Sequence, residues 1–98
     1  MKFSEAMEAC LRGEHVRRVT WGPAMYVYSM PGYPDGIECN EATAKSLNIP
    51  VGTKVRCMPY LAVMLGVLDG MPTFLPGYTP QMTDMVTDDW EIIEKRVA

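Results

Sequence analysis

Ninety-eight residues, 48% apolar and 21% charged, fit one soluble globular domain over residues 1–98 and are too apolar for a disordered chain. A chain this short buries only roughly 60 to 70 per cent of its unfolded surface, so the core is modest and association between copies would help it. The net charge of −3 provides no summed basic surface, which argues against long nucleic acid as a partner and leaves room for a small anion held by a few arginines.

The first expected element is a helix. Ser4 is a good N-cap, Glu5 suits the positive helix end, and Phe3, Ala6, Met7, Cys10 and Leu11 recur at helical spacing as one apolar stripe; Gly13 supplies the stop. Residues 16–21 then read as a β-rich run ended by Gly22-Pro23, and residues 25–30 as a second, the two pairing as an antiparallel hairpin. Pro31 to Asp35, PGYPD, is turn chemistry, and residues 36–39 form a short strand or an irregular excursion. Asn40 caps a short helix over residues 41–47, stopped by Asn48 and Pro50, an insertion on the rim of the sheet.

Residues 54–58 read as a strand running into Pro59. Residues 60–68 are apolar enough for helix or strand, and Asp69-Gly70 followed by Met71, Pro72, Thr73 and Phe74 decides for a strand in a hairpin. A loop over residues 75–81 leads to a single helical turn capped by Thr83 or Asp84, and residues 90–94 form the last strand. The fold class is α+β: an N-terminal helix followed by a small antiparallel sheet with a short helical insertion.

Catalysis has little to work with. One histidine, read as a solvated loop position beside Glu14, and three scattered cysteines without CxxC spacing give neither a metal site, a disulfide framework nor a strong nucleophile and base. Asp84, Asp88 and Asp89 lie close enough in sequence for a divalent cation or an acid and base, although acids at the start of a helical turn also serve its free N–H groups. No apolar run reaches the roughly 18 residues that cross a bilayer, no apolar signal core follows a basic start, and a cytosolic protein is expected.

Binding is better supported. Trp21 ends a strand beside a Gly-Pro turn, where its face can cover a base, and Arg17 and Arg18 point to opposite faces, so alternation puts one of them on the side of Val19 and Trp21. A guanidinium fork on phosphate and an aromatic plane under a base, worth about 1–3 kcal/mol, together suit a small nucleotide. The plainer alternative is that Trp21 and Trp90 are core residues and the arginines pair with Asp88 or Asp89. Tyr26 and Tyr28, two residues apart, pack on one sheet face.

The opening FSEAMEACLRGEHVRRVTWGPAMYVY and the closing TDMVTDDWEII resemble the two ends of the second Thoeris anti-defence family of phage proteins, and together cover a little over a third of the chain. Pro59-Tyr60 and Asp69-Gly70 stand where that family has a Pro-aromatic pair and a hairpin turn. The resemblance implies a non-catalytic sponge that binds a cyclic ADP-ribose isomer, or in some members a cyclic oligonucleotide, without cleaving it. It implies a homotetramer with pockets between subunits, acting in the host cytoplasm with no cofactor and no metal. The ligand-binding residues it points to are Trp21, Gly22, Arg17, Arg18, Met25, Tyr60, Phe74, Tyr78, Thr83 and Asp84. Trp21 would stack on the base, Thr83 and Asp84 would bond base or ribose, and Arg17 or Arg18 would meet the pyrophosphate. The chain departs from the family pattern at Pro23-Ala24 and across residues 31–50, and TFLPGYTPQM offers Phe74 or Tyr78 where the family has a tryptophan. The rivals are a metal-dependent enzyme that degrades a cyclic nucleotide through these aspartates, and a phage protein-interaction module with no small ligand.

Overall fold

The computed structural model describes residues 1–94. Helix α1, Phe3–Leu11, starts earlier than Ser4 predicts. Lys2 holds the N-cap position, and its N–H is met by the Glu5 carboxylate at 3.0 Å, so the acid one turn in supplies the cap that Ser4 was expected to give. At the other end Gly13, with φ 97°, donates to the Cys10 carbonyl while Glu14 donates to that of Ala9, which satisfies the last carbonyls in a Schellman arrangement. Ala6, Ala9 and Cys10 are buried, whereas Leu11 is 70% exposed and does not belong to the stripe.

A five-stranded antiparallel sheet receives this helix, in the order β6-β5-β2-β1-β7. Its strands are β1 His15–Arg18, β2 Tyr26–Met30, β5 Tyr60–Leu68, β6 Met71–Pro76 and β7 Trp90–Ile93. The expected hairpin of β1 and β2 is present, with Val16 opposite Val27. The turn at Asp69-Gly70 has positive φ at both residues, 51° and 77°, the geometry that lets two-residue hairpins follow the sheet's twist. β1 and β7 are neighbours, so both ends of the chain contribute to one side of the sheet.

Val16, Val27, Val63 and Trp90 pack against α1 and form the core with its buried residues. Each fully buried valine contributes about 1.5–3 kcal/mol relative to exposure. Strand alternation sends His15, Arg17, Tyr26 and Tyr28 to the opposite face, and the register continues that face through Met64 to Phe74. Tyr26 and Tyr28 share it as expected, with ring centroids 5.9 Å apart. Among the described residues no element covers this aromatic face. His15, expected in a solvated loop, instead opens β1 and stacks on Tyr26 at 4.2 Å.

The segment between β2 and β5 is a projecting arm. β3 Tyr33–Glu38 pairs with β4 Lys54–Cys57 in a separate two-stranded sheet, and helix α2, Glu41–Leu47, joins their far ends. The pairing of Met30 with Tyr60 is followed by that of Tyr33 with Cys57, so the arm prolongs the β2–β5 ladder beyond a break at Pro31-Gly32 and Met58-Pro59. This corrects two expectations: the turn is confined to Pro31-Gly32, and α2 caps a ribbon instead of sitting on the rim of the large sheet. α2 itself has the expected bounds, with the Asn40 side chain accepting from the Thr43 N–H at 2.9 Å and Asn48 left-handed at its end.

β6 continues to Pro76, so the following loop is shorter than predicted, and its two prolines sit on an edge strand, where a missing N–H costs least. Helix α3, Met82–Val86, follows with Gln81 at the N-cap position, not Thr83 or Asp84. Asp84 still serves the helix start, because its carboxylate accepts the Gln81 N–H at 3.0 Å. No helix among the described residues is long and apolar enough to cross a membrane.

Candidate functional site

Arg18, the last residue of β1, is the hub of a polar network. Its Nε and Nη2 donate to the two oxygens of Asp89 at 3.0 and 3.2 Å, and its Nη1 donates to Asp84 Oδ1 at 3.3 Å. The side chain is only 15% exposed. Its hydrogen bond to Asp89 raises the guanidinium pKa, and the same bond holds the Asp89 carboxyl below the usual carboxylate range. Asp84 is buried and accepts, at Oδ2, the Tyr78 hydroxyl and the Gln81 N–H, both at 3.0 Å. Burial first, then the bond to Asp84, pushes the Tyr78 phenol up. The Trp90 indole donates to the Asp84 carbonyl at 2.8 Å, which ties the network to the core.

Trp21 reaches this network because β1 stops early. The Trp21 N–H donates to the Arg18 carbonyl at 3.0 Å, and the Val19 N–H donates to the Asp89 carbonyl at 2.9 Å, so a turn replaces the last three residues of the expected strand. The indole sits edge-on to Trp90, with centroids 5.2 Å apart, and edge-on to Tyr78 at 6.3 Å. Beside it lies a groove of about 420 Å³. The sheet residues Val63, Leu65 and Leu75 line its floor, and Trp21, Met25, Gly77, Tyr78, Thr79, Gln81 and Asp84 line the rest of it.

Of the residues expected to bind a ligand, four therefore meet in one cavity: Trp21, Met25, Tyr78 and Asp84. Arg18 adjoins them through Asp84, and Gly22 is exposed in the loop between Trp21 and Met25. The others lie elsewhere. Of the two arginines, one of which was expected on Trp21's side, Arg17 is on the opposite face, the turn after Arg18 breaking the alternation; its Nε donates to Glu91 Oε1 at 2.9 Å. Tyr60 and Phe74 also belong to that face, and Thr83 is exposed on α3, outside the groove lining. Asp88 is exposed, and Asp84 and Asp89 close around Arg18, so the three acids do not converge on a metal position.

A family model for the Tad2-like domain, described as the Thoeris anti-defense 2-like domain, matches residues 1–93. The chain belongs to this family. A comparison with curated proteins finds no match. Membership gives the Tad2-like domain a phage anti-defence role and points to a non-catalytic one.

The Tad2-like chain carries a second cavity, about 350 Å³, on the aromatic face, where Arg17 lies with His15, Tyr26, Pro23 and Ala24. The loop of residues 21–25 thus lends Trp21 and Met25 to one face and Pro23 and Ala24 to the other. Sequence reasoning missed the groove's floor and its neutral polar residues. The floor was open to discovery, since Leu61, Val63 and Leu65 alternate within β5. Thr79 and Gln81 carried no signal, because their loop is placed by Tyr78, whose N–H donates to the Leu61 carbonyl at 2.7 Å.

Proposed function

We propose that this protein is a phage anti-defence sponge, which binds a nucleotide-derived immune signal without cleaving it and so keeps the bacterial effector inactive in the host cytoplasm. The signal is a cyclic ADP-ribose isomer or a cyclic oligonucleotide. The observation that carries this reading is the groove lined by Trp21, Tyr78 and Asp84 over an apolar floor. Its volume falls in the range of roughly 300–1,000 Å³ typical of small-molecule pockets. Trp21 offers a surface for a base, braced by Trp90 and Tyr78 so that little order is lost on binding. Asp84 offers an acceptor to base or ribose. In this reading the chain works as a homotetramer, and the uncovered aromatic face of the sheet is the surface such an assembly would bury.

Native mass spectrometry of the protein incubated with a mixture of cyclic ADP-ribose isomers and cyclic oligonucleotides tests this directly, since it reports assembly mass and bound ligand together. The expected outcome is a retained nucleotide that is recovered unchanged after heat denaturation. Conversion of the ligand on adding magnesium or manganese would instead make the protein a signal-degrading enzyme. Retention of no nucleotide would leave a protein-interaction module.

A further inference from the structure

One short loop lines both cavities. Trp21 and Met25 belong to the groove, while Pro23 and Ala24 belong to the cavity on the aromatic face. The second half of the loop is a tight turn: the Met25 N–H donates to the Gly22 carbonyl at 3.1 Å, and Pro23, with its fixed φ, takes the first central position. At the other end Trp21 is tied in by its own N–H on the Arg18 carbonyl. A turn closed in this way moves as one piece, so a displacement of Ala24 is carried along to Met25 and Trp21.

Gly66 is the seat of that turn. β5 has a bulge here, since Met64 and Gly66 pair with the adjacent residues Phe74 and Thr73 and Leu65 is the extra one. Leu65 goes to the groove floor; Gly66, with φ 113°, goes to the opposite cavity, where it faces Ala24. A Cβ added at Gly66 would lie 3.1 Å from the Ala24 Cβ, a few tenths of an ångström inside ordinary contact. Glycine thus meets two demands here, a backbone conformation that other residues adopt only at a cost and a close approach of turn to strand.

We propose that Gly66 and Ala24 are positioning residues of the groove: from the far face of the sheet, their contact sets the height of the turn over β5 and with it the placing of Trp21 and Met25. Neither residue lines the groove itself. The effect on ligand affinity rests on the sponge reading above, whereas the mechanical link does not. The link also gives a role to Pro23-Ala24, where the chain departs from the family pattern.

The protein has two tryptophans, so its proton–nitrogen correlation spectrum carries two indole N–H signals, and Trp21→Phe identifies one of them. Gly66→Ala should shift the Trp21 signal more than that of Trp90, which is held on the Asp84 carbonyl. It should also weaken the calorimetric binding of cyclic ADP-ribose about tenfold. Adding Ala24→Gly to Gly66→Ala removes the contact from the other side, and should return the signal and bring affinity to within about twofold of the unaltered protein. Gly70→Ala is the control, because it too places a side chain at positive φ, 77°, but meets nothing within 4 Å; it should lower the melting temperature alone. Ala24→Val presses on the seat with Gly66 unchanged and should act as Gly66→Ala does, so the test stands even if Gly66→Ala does not fold. The proposal is overturned if either variant folds with a lower melting temperature but with the Trp21 signal and the affinity unmoved, or if Ala24→Gly fails to rescue Gly66→Ala. If the unaltered protein binds no cyclic ADP-ribose, the sponge reading loses that ligand, and the indole signals still decide the link.

Discussion

Two tryptophans with the same chemistry have separate work here. Trp90 is 2% exposed, packs on Phe3 and donates its indole N–H to the Asp84 carbonyl. Trp21 packs against the same core from outside and lines the groove. Trp90→Phe should therefore lower stability by about 2–3 kcal/mol in urea denaturation, through lost volume and a carbonyl left unpaired. Trp21→Ala should lower ligand affinity in the sponge assay while the fold persists; unchanged affinity with a lower melting temperature would assign Trp21 to the core. The Arg18–Asp89 pair makes stability depend on acid. Asp89 has a depressed folded pKa, so its contribution is complete above the ordinary carboxylate value of 3.8 and is lost as pH falls through the lower folded value. The melting temperature of the unaltered protein should thus drop more steeply between pH 4 and pH 2 than that of Asp89→Asn.

At the scale of elements, local chemistry fixed most boundaries. The caps of α2, the glycine stop of α1 and the Asp69-Gly70 turn each satisfy backbone groups within a few residues, so short sequence windows reveal them. The arm shows how glycine contributes where space is also limiting. At Gly32, with φ 62°, an added Cβ would lie 2.5 Å from the Cys57 carbonyl oxygen, whereas at Gly70, with φ 77°, it would meet nothing within 4 Å. Gly32→Ala should cost about 2–4 kcal/mol, strain and clash together, and Gly70→Ala only about 1 kcal/mol; denaturant midpoints of the two variants measure the difference. Two elements were misread for one reason. Residues 19–21 look β-rich, but Val19 bonds to the Asp89 carbonyl and turns the chain, and PGYPD looks like a turn, but β4 is there to pair with Tyr33. Both outcomes depend on a partner far away in sequence.

For the molecule as a whole, the unequal faces of the sheet matter most. One carries α1 and the groove; the other presents Tyr26, Tyr28 and Phe74 with nothing over them among the described residues. Phe74 is 50% exposed, more than a large ring in a finished core would be. Light scattering should accordingly find a species several times the 11.0 kDa chain mass, and Phe74→Asp should shift it towards smaller species with its circular dichroism retained. A monomer at all concentrations would separate ligand binding from assembly.

The sequence by itself determined the α+β class, the N-terminal helix, the α2 caps, the β5–β6 hairpin and the pairing of Trp21 with Asp84 as binding candidates, because these follow from local periodicity, capping chemistry and two terminal motifs. Only the tertiary structure decided that Arg17 and Arg18 serve opposite faces with carboxylate partners, that Tyr78 and not Phe74 stands beside Trp21, and that no lysine or arginine among the described residues lines the groove. Those facts arise from strand register and from ion pairs spanning 66 to 74 residues, and no short stretch of the chain contains both halves of such a contact.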